Sequence, residues 1–505
     1  MIASSFNRRK MTPSNSRRLL LRVTPIYKVL LLATSVLFVT FPARVVAQRK
    51  LKQLHVITRH GARTPLQKEA ATLSEDDVGS TLTPLGQKQH YDLGLWLRDR
   101  YSETGWFDEY DPALAKFESS ALDRTLVSAN SLALGLFPPS ARMGQQEADF
   151  SELLPVPPAN IPVYSHSQKN DIYIRAYSNC NVFKQRLKDL YQNFEWKNIE
   201  ENHEPLLRDL GNALPQFADP TRSIVPLENL WNAYDAVHVA KTECDDNPSS
   251  LTCLELPDPL IRNVVSEETW LELETAAHQA EYIKYGGEVA GSMLGSNLLW
   301  RILSRISSDG KFFHYSAHYP TILGMFSTLE EEPVSSVLPE YASALIFEVY
   351  EDLSQSTETV RIIYKEGNID GVQSLSLRLC PALDDNFACP VPEMILWAKK
   401  NTLKTPEDWC SACGNTEADV CVAAALEGQC SLVNDLSQLV ENGDRQAEMA
   451  VAGMFAIGMI FGMCAFALCN SCFCNRKSKR SIDQTPPTDL QSGDEDPSAE
   501  GAVLS

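Results

Sequence analysis

Two arginines, Arg59 and Arg63, flank His60 directly after a strand-like stretch at 51–58. Arginine forks match phosphate oxygens two at a time, and their charge lowers the pKa of a histidine between them. Such a ring stays neutral and nucleophilic in acid, which suits phosphoryl transfer through a phosphohistidine. Ligands of open α/β sheets sit where strands end, and Gly61 permits close backbone approach. The segment is short, so chance and a purely structural role are open alternatives.

The elements that must position this cluster alternate between strands and helices. Thr83 is a good N-cap and Pro84 a good first residue for a helix after the cluster. Further expected elements are a strand at 115–118, a helix from Asp123, a long helix at about 287–305, and strands at 312–317, 344–350 and 358–364. Between about 144 and 288 the pattern is loop-rich and helical, like an insertion. The alternation predicts an α/β layer fold.

Several blocks of residues together resemble the histidine acid phosphatase family, in the branch of lysosomal and prostatic acid phosphatases and phytases. The blocks are His55 to Pro65, Leu82 to Gly86, Ser119 to Leu126 continuing to Leu136 through Pro139, and Tyr315 to His318, with looser similarity from Cys380 to Cys413. The resemblance covers roughly residues 51–415. It implies a phosphoglycerate mutase-like fold, with a central mixed, mostly parallel sheet flanked by helices and an inserted α-helical cap at about 144–288.

The resemblance also implies roles for individual residues. His60 would be the nucleophile that accepts the phosphoryl group, and Arg59, Arg63, Arg124 and His318 would hold its oxygens. Positive donors aimed at these oxygens stabilise the transition state. The substrate would be a small phosphomonoester, with no metal and no other cofactor.

One position departs from the family pattern. The family has an aspartate after the second histidine, or an alanine and then a glutamate in some phytases, and this residue protonates the leaving oxygen; here the order is His318-Tyr319-Pro320. Three interpretations are open. Tyr319 donates its phenolic proton, another acid such as Glu75, Asp76, Asp77 or a cap residue replaces it, or the domain is a phosphate-binding pseudophosphatase or receptor. A phosphoglycerate mutase-like transferase shares the Arg-His-Gly core, but the signs of export disfavour it.

The first 47 residues have the layout of a secretory signal peptide. Residues 1–28 are basic without an acid, 29–41 are uncharged and mostly apolar, and Val45-Val46-Ala47 precedes the expected cut. The apolar run is short for a membrane span, so an uncleaved signal anchor is the less favoured alternative. Met11 is an alternative start of translation.

A second apolar segment, at 449–469, is 21 residues long, has no charge and is followed by a basic cluster. Length and flank predict a single membrane-spanning helix with the following tail, 470–505, disordered in the cytosol. The exported domain would be 48–445, making a type I membrane protein of the cell surface or of endosomes and lysosomes. A homodimer is left open.

The net charge is −20, from 65 acidic and 45 basic side chains, which argues against nucleic-acid binding. Nine of the 13 cysteines fall in the exported region, which predicts disulfides in an oxidising compartment. The resemblance suggests Cys180 with Cys413 (or Cys410) and Cys380 with Cys389, and proximity suggests Cys244 with Cys253. Cys410 and Cys413 could also be a metal or redox motif, but a second ligand pair is missing.

Overall fold

The computed structural model describes residues 49–66, 68–69, 81–137, 161–256, 258–287, 289–330, 338–353, 357–369, 371–375, 380 and 387–426. The predicted signal peptide, membrane span and tail lie outside these residues, as do the acids at 75–77. Among the helices that are described, none is both long and apolar enough to cross a bilayer.

In the described residues, eight strands form one mixed sheet. They are β1 (Arg49–Arg59), β2 (Ala115–Ser119), β3 (Val163–Ser165), β4 (Phe312–Ala317), β5 (Ala344–Asp352), β6 (Thr357–Lys365), β7 (Gln373–Ser374) and β8 (Ala388–Pro390). The order is β3-β2-β4-β1-β5-β6-β7, with β8 paired to β6. Pairing is parallel from β3 to β1 and antiparallel from β1 onwards. The predicted mixed α/β class is confirmed, although the antiparallel half is larger than expected.

Helices cover both faces of the sheet and fill the long connection between β3 and β4. They are α1 (Pro84–Arg100), α2 (Asp123–Leu136), α3 (Ala176–Asn179), α4 (Asn181–Gln192), α5 (Phe194–Asn202), α6 (Glu204–Ala213), α7 (Leu230–Cys244), α8 (Leu251–Glu255), α9 (Glu267–Tyr285), α10 (Ser296–Arg305), α11 (Tyr319–Thr328), α12 (Val391–Asn401) and α13 (Pro406–Cys413). The long helix expected at 287–305 was wrong in length. Only its second half is α-helical, because a 3₁₀ turn at Gly291–Met293 comes first.

Helix α1 begins where the sequence predicts. The Thr83 hydroxyl accepts a hydrogen bond from the Gly86 amide, and Pro84 occupies the first turn. Helices α1 and α2 then pack backbone against backbone. A Cβ atom on Gly94 would lie 2.3 Å from the Leu132 carbonyl oxygen, so only glycine allows this crossing.

Alternating side chains of the strands belong to two different hydrophobic clusters. Leu54 and Val56 of β1 belong to the cluster that α1 and α2 cover, whereas Ile57 belongs to a larger cluster that includes α7, α9 and α11. This period of two is that of a strand buried on both faces. The rigid sheet therefore holds the ends of its central strands in fixed positions.

Four disulfides join described cysteines: Cys180–Cys413, Cys244–Cys253, Cys380–Cys389 and Cys410–Cys421. The first three are the expected pairs, and Cys413 rather than Cys410 is the partner of Cys180. The fourth pair engages Cys410, which leaves no thiol pair for a CxxC metal or redox motif at 410–413.

Candidate active site

The carboxyl ends of β1, β2 and β4 meet at one edge of the sheet. Arg59 is in register with Ala317, and the His60 amide donates to the Ala317 carbonyl oxygen at 3.0 Å. The rings of His60 and His318 consequently lie 5.5 Å apart, centroid to centroid. Three strand ends from distant parts of the sequence thus bring the two motif histidines together, at the kind of edge where α/β sheets bind ligands.

His60 is buried, with 3% of its surface exposed. Its Nδ1 lies 2.8 Å from the Gly61 carbonyl oxygen, which can only accept, so Nδ1 carries the proton and Nε2 the lone pair. Burial lowers the pKa of His60 well below its usual range, and the charges of Arg124, His318, Arg63 and Arg59 lower it further. The ring is therefore a neutral nucleophile surrounded by positive charge.

The close approach that Gly61 permits is that of another backbone segment of the protein. A Cβ atom at this position would lie 2.2 Å from the carbonyl oxygen of Gly86, in the first turn of α1. The opposite contact is equally tight, since a Cβ on Gly86 would lie 2.0 Å from the Ala62 carbonyl oxygen. These two glycines press the motif loop onto the start of α1 and so fix the backbone around His60.

The two motif arginines are held by different partners. Arg59 donates from Nη1 to the Pro339 carbonyl oxygen at 2.6 Å, and its guanidinium lies 4.1 Å from the centroid of the Tyr341 ring. Arg63 forms a bidentate pair with Asp235 of α7, with distances of 2.7 and 3.0 Å. Both side chains are buried, so their planes are set before any ligand arrives.

Arg124 and His318 complete the set of expected phosphate ligands. Arg124 is buried in the first turn of α2, whose N-terminus favours anions. The His318 Nε2 lies 2.8 Å from the Ser120 hydroxyl, which lies 2.8 Å from the Thr125 hydroxyl, and Thr125 in turn donates to the Leu122 carbonyl oxygen. In this series of hydrogen bonds Nε2 of His318 is the donor, so the Ser120 hydroxyl fixes the orientation of the ring.

Tyr319 is the first residue of α11 and is 5% exposed. Its hydroxyl donates to the Glu281 carboxylate at 2.5 Å and accepts from the Lys68 ammonium at 2.6 Å. Burial and the negative charge of Glu281 raise the pKa of Tyr319 well above 10. The ring packs beside Trp231, with centroids 6.3 Å apart, so Tyr319 lines the side of the site that faces α7.

Glu281 is fully buried in α9 between two lysines. Lys284 lies 2.7 Å and Lys68 3.4 Å from its carboxylate oxygens. Burial raises the pKa of Glu281, but the charges of Lys284 and Lys68 outweigh it and lower the value to about 2. Glu281 is thus an anion in mildly acidic and neutral solution.

Sequence reasoning missed four of these site residues: Lys68, Ser120, Asp235 and Glu281. Ser120 lies in a block that carries the resemblance, but nothing in the local pattern marks Asp235 or Glu281. As for metals, the described residues bring three potential ligand atoms together at Cys380, Cys389 and Glu393, and the two sulfurs there are joined as a disulfide. A disulfide lacks the thiolates that bind metals.

The chain is similar to known acid phosphatases. The chain is 27% identical to human lysosomal acid phosphatase over 391 residues, 75% of this chain and 85% of that protein. It is 24% identical to human prostatic acid phosphatase over 388 residues, 74% of this chain and 91% of that protein. Among solved structures, the phytase from Citrobacter braakii superposes with a TM-score of 0.52 at 16% identity, covering 71% of this chain and 99% of the phytase, which shows a shared fold.

The family model that matches is the histidine phosphatase superfamily (branch 2), over residues 76–365, which is more than half of the 505 residues. The resemblance expected from the motifs is therefore confirmed. This chain belongs to the histidine phosphatase superfamily, branch 2.

Proposed function

We propose that this protein is an acid phosphatase that hydrolyses phosphomonoesters through a phosphohistidine at His60. The observation that carries the proposal is the state of His60: its Nδ1 proton is held by Gly61, its pKa is lowered, and Arg124, Arg63 and Arg59 surround it. A neutral Nε2 can attack phosphorus while the arginines stabilise the charge on the phosphoryl oxygens. The acid phosphatases among its relatives support the reaction class.

In this mechanism the five expected residues have two kinds of role. His60 attacks, and Arg59, Arg63, Arg124 and His318 bind the three phosphoryl oxygens. The bidentate pair of Arg63 with Asp235 supports this assignment, because it orients the guanidinium in advance and avoids reorganisation during the reaction. Water then hydrolyses the phosphohistidine and regenerates the neutral ring.

Tyr319 occupies the position of the missing aspartate, and its phenol is one candidate for the general acid. Its proton is engaged by Glu281, and Lys68 is close enough to replace it after transfer. A dead domain that binds phosphate without turnover is the alternative, since loss of the general acid typically costs 10²- to 10⁴-fold on alkyl esters.

The four disulfides support export of the domain into an oxidising compartment. We propose a lumenal or extracellular location, as in the lysosome, with the segment 449–469 as the membrane anchor and residues from about 144 to 288 as a cap that selects substrates. The helices α7 and α9 of this segment support the cap, because they supply Asp235 and Glu281 to the site.

Phosphate release by the full-length chain tests this proposal. An aryl and an alkyl phosphomonoester are compared across pH 4–7 in the native protein and in His60→Ala. Release that disappears in His60→Ala supports the enzyme. Binding of vanadate without release, together with a gain of activity in Tyr319→Asp, would instead show a binding domain that has lost its acid.

A further inference from the structure

A short loop before β5, residues 338–343, forms a wall of the site that the sequence motifs do not mark. The Arg59 amide donates to the Ser343 carbonyl oxygen at 3.0 Å, and the Ala342 amide donates to the His60 carbonyl oxygen at 3.2 Å. Ala342 has a φ of 59°, the left-handed region that residues other than glycine seldom adopt. Such strain persists where the surroundings demand it, and here it places the loop against the nucleophile.

This loop carries a phenol, that of Tyr341, which is 3% exposed. Its ring centroid lies 5.9 Å from that of His60 and 5.2 Å from that of His238, while Arg59 covers its face. The Tyr341 hydroxyl has no hydrogen-bond partner among the described residues. A buried donor left unsatisfied is unfavourable, so this hydroxyl is available to a ligand.

The surroundings of the two phenols differ. The Tyr319 hydroxyl is held between Glu281 and Lys68, whereas the Tyr341 hydroxyl has no such partners in the part of the chain that the structure describes. Burial raises the pKa of Tyr341 to about 12, with Asp235 and Glu340 acting in the same direction and Arg63 and Arg59 against it. Tyr341 thus stays protonated in acid, and the two arginines partly offset the cost of its anion.

We infer that Tyr341, rather than Tyr319, is the catalytic general acid that protonates the leaving oxygen of the substrate. The inference rests on the proposed function of His60. In a near-attack arrangement the phosphorus lies about 3–3.5 Å from the nucleophile. The two ring centroids lie 5.9 Å apart, so we expect a phosphoryl group on His60 to lie beside the Tyr341 side chain.

The proton and electron balance of the step is complete without another reagent. The lone pair of His60 Nε2 forms the N–P bond, the P–O ester bond breaks with its electron pair on oxygen, and that oxygen takes the Tyr341 proton. In the second half, the Tyr341 phenolate takes a proton from water as the water oxygen attacks phosphorus. The N–P bond then breaks, its pair returns to Nε2, and inorganic phosphate leaves.

Leaving-group dependence of the full-length protein tests the inference. Tyr341→Phe removes only the hydroxyl. We expect it to lower the rate of His60 phosphorylation by alkyl phosphomonoesters 10²- to 10⁴-fold and by aryl esters less than about tenfold, because aryl oxides leave without a proton. The slope of log rate against leaving-group pKa should become steeper. Tyr350→Phe, at the other end of β5, is the matched control and should keep the native slope.

Three results would overturn the inference. An equal fall in the phosphorylation rate with both esters would mean that the Tyr341 hydroxyl binds a phosphoryl oxygen. An unchanged slope would mean that Tyr341 only lines the site. A selective loss on alkyl esters in Tyr319→Phe but not in Tyr341→Phe would assign the acid to Tyr319. A failure of the proposed function itself would give another result. The native protein would then be phosphorylated by neither ester, and the inference about Tyr341 would fail as well.

Discussion

The Nδ1 atom of His60 lies 2.8 Å from the carbonyl oxygen of Gly61, the next residue in the chain. Because this carbonyl only accepts, the contact fixes the proton on Nδ1 and leaves the lone pair on Nε2. The nucleophile is therefore prepared by one backbone atom, and the tight packing of Gly61 on Gly86 holds that atom in place.

The lowered pKa of His60 makes a prediction about activity in acid. The neutral fraction of a histidine with the usual pKa of about 6.5 would fall about 16-fold between pH 6.5 and 5. Because burial and then Arg124 lower the pKa of His60 well below that range, we expect no such loss. Phosphorylation rates with an aryl ester from pH 6.5 to 5 measure this, and a decline of about 16-fold would show an ordinary histidine.

Breaking the buried ion pair of Arg63 with Asp235 should lower the free energy of unfolding. In Asp235→Ala the guanidinium stays buried without its carboxylate, and breaking such a pair costs about 3–5 kcal/mol of the free energy of unfolding. Denaturant unfolding measures the change. Asp419→Ala is the control, because its pair with Lys169 is exposed and should contribute little. Similar midpoints for both variants would show that Asp235 is not needed to hold Arg63.

Buried histidines should make the fold sensitive to acid. Burial lowers the pKa of His90 to about 4, so the unfolded chain binds the proton first as the pH falls below 6.5. The stability contributed by neutral His90 is complete above pH 6.5 and is lost as the pH falls to about 4. Between pH 7 and 4.5 this amounts to roughly 2–3 kcal/mol.

His90→Gln removes this titration and should shrink the difference in free energy of unfolding between pH 7 and 4.5 by that amount. The exposed His166→Gln is the control and should leave the difference as it is. Denaturant titrations at the two pH values give the answer. An unchanged difference in His90→Gln would mean that His90 is protonated equally in the folded and unfolded chains.

The disulfide Cys180–Cys413 closes a loop of 233 residues, compared with 9 for Cys244–Cys253. Loop-closure entropy gives the long bridge about 5 kcal/mol of stabilisation and the short one about half of that. We expect the double serine variant of the long pair to unfold at clearly lower denaturant concentration than that of the short pair. The reverse order would show that residual structure in the unfolded chain, not loop length, sets the contribution.

The sequence predicted the strands around the site well, because β1 and β4 lead directly into the two histidine motifs. It also placed His60, Arg59 and Arg63 in one strand-end cluster, since they are neighbours in the chain. Asp235 and Glu281 could not be predicted, because helices α7 and α9 reach the site only through packing. Tyr341 was missed for a related reason: its loop joins the site through backbone hydrogen bonds that leave no local pattern.

A covalent phosphohistidine at His60 is the core of the proposed mechanism, and it can be trapped directly. The full-length protein is mixed with a phosphomonoester labelled on phosphorus, quenched in alkali within milliseconds and mapped by mass spectrometry. This mechanism requires phosphate on the peptide that contains His60, and no label in His60→Ala. Turnover without phosphate on His60, or an equal label in His60→Ala, would contradict it.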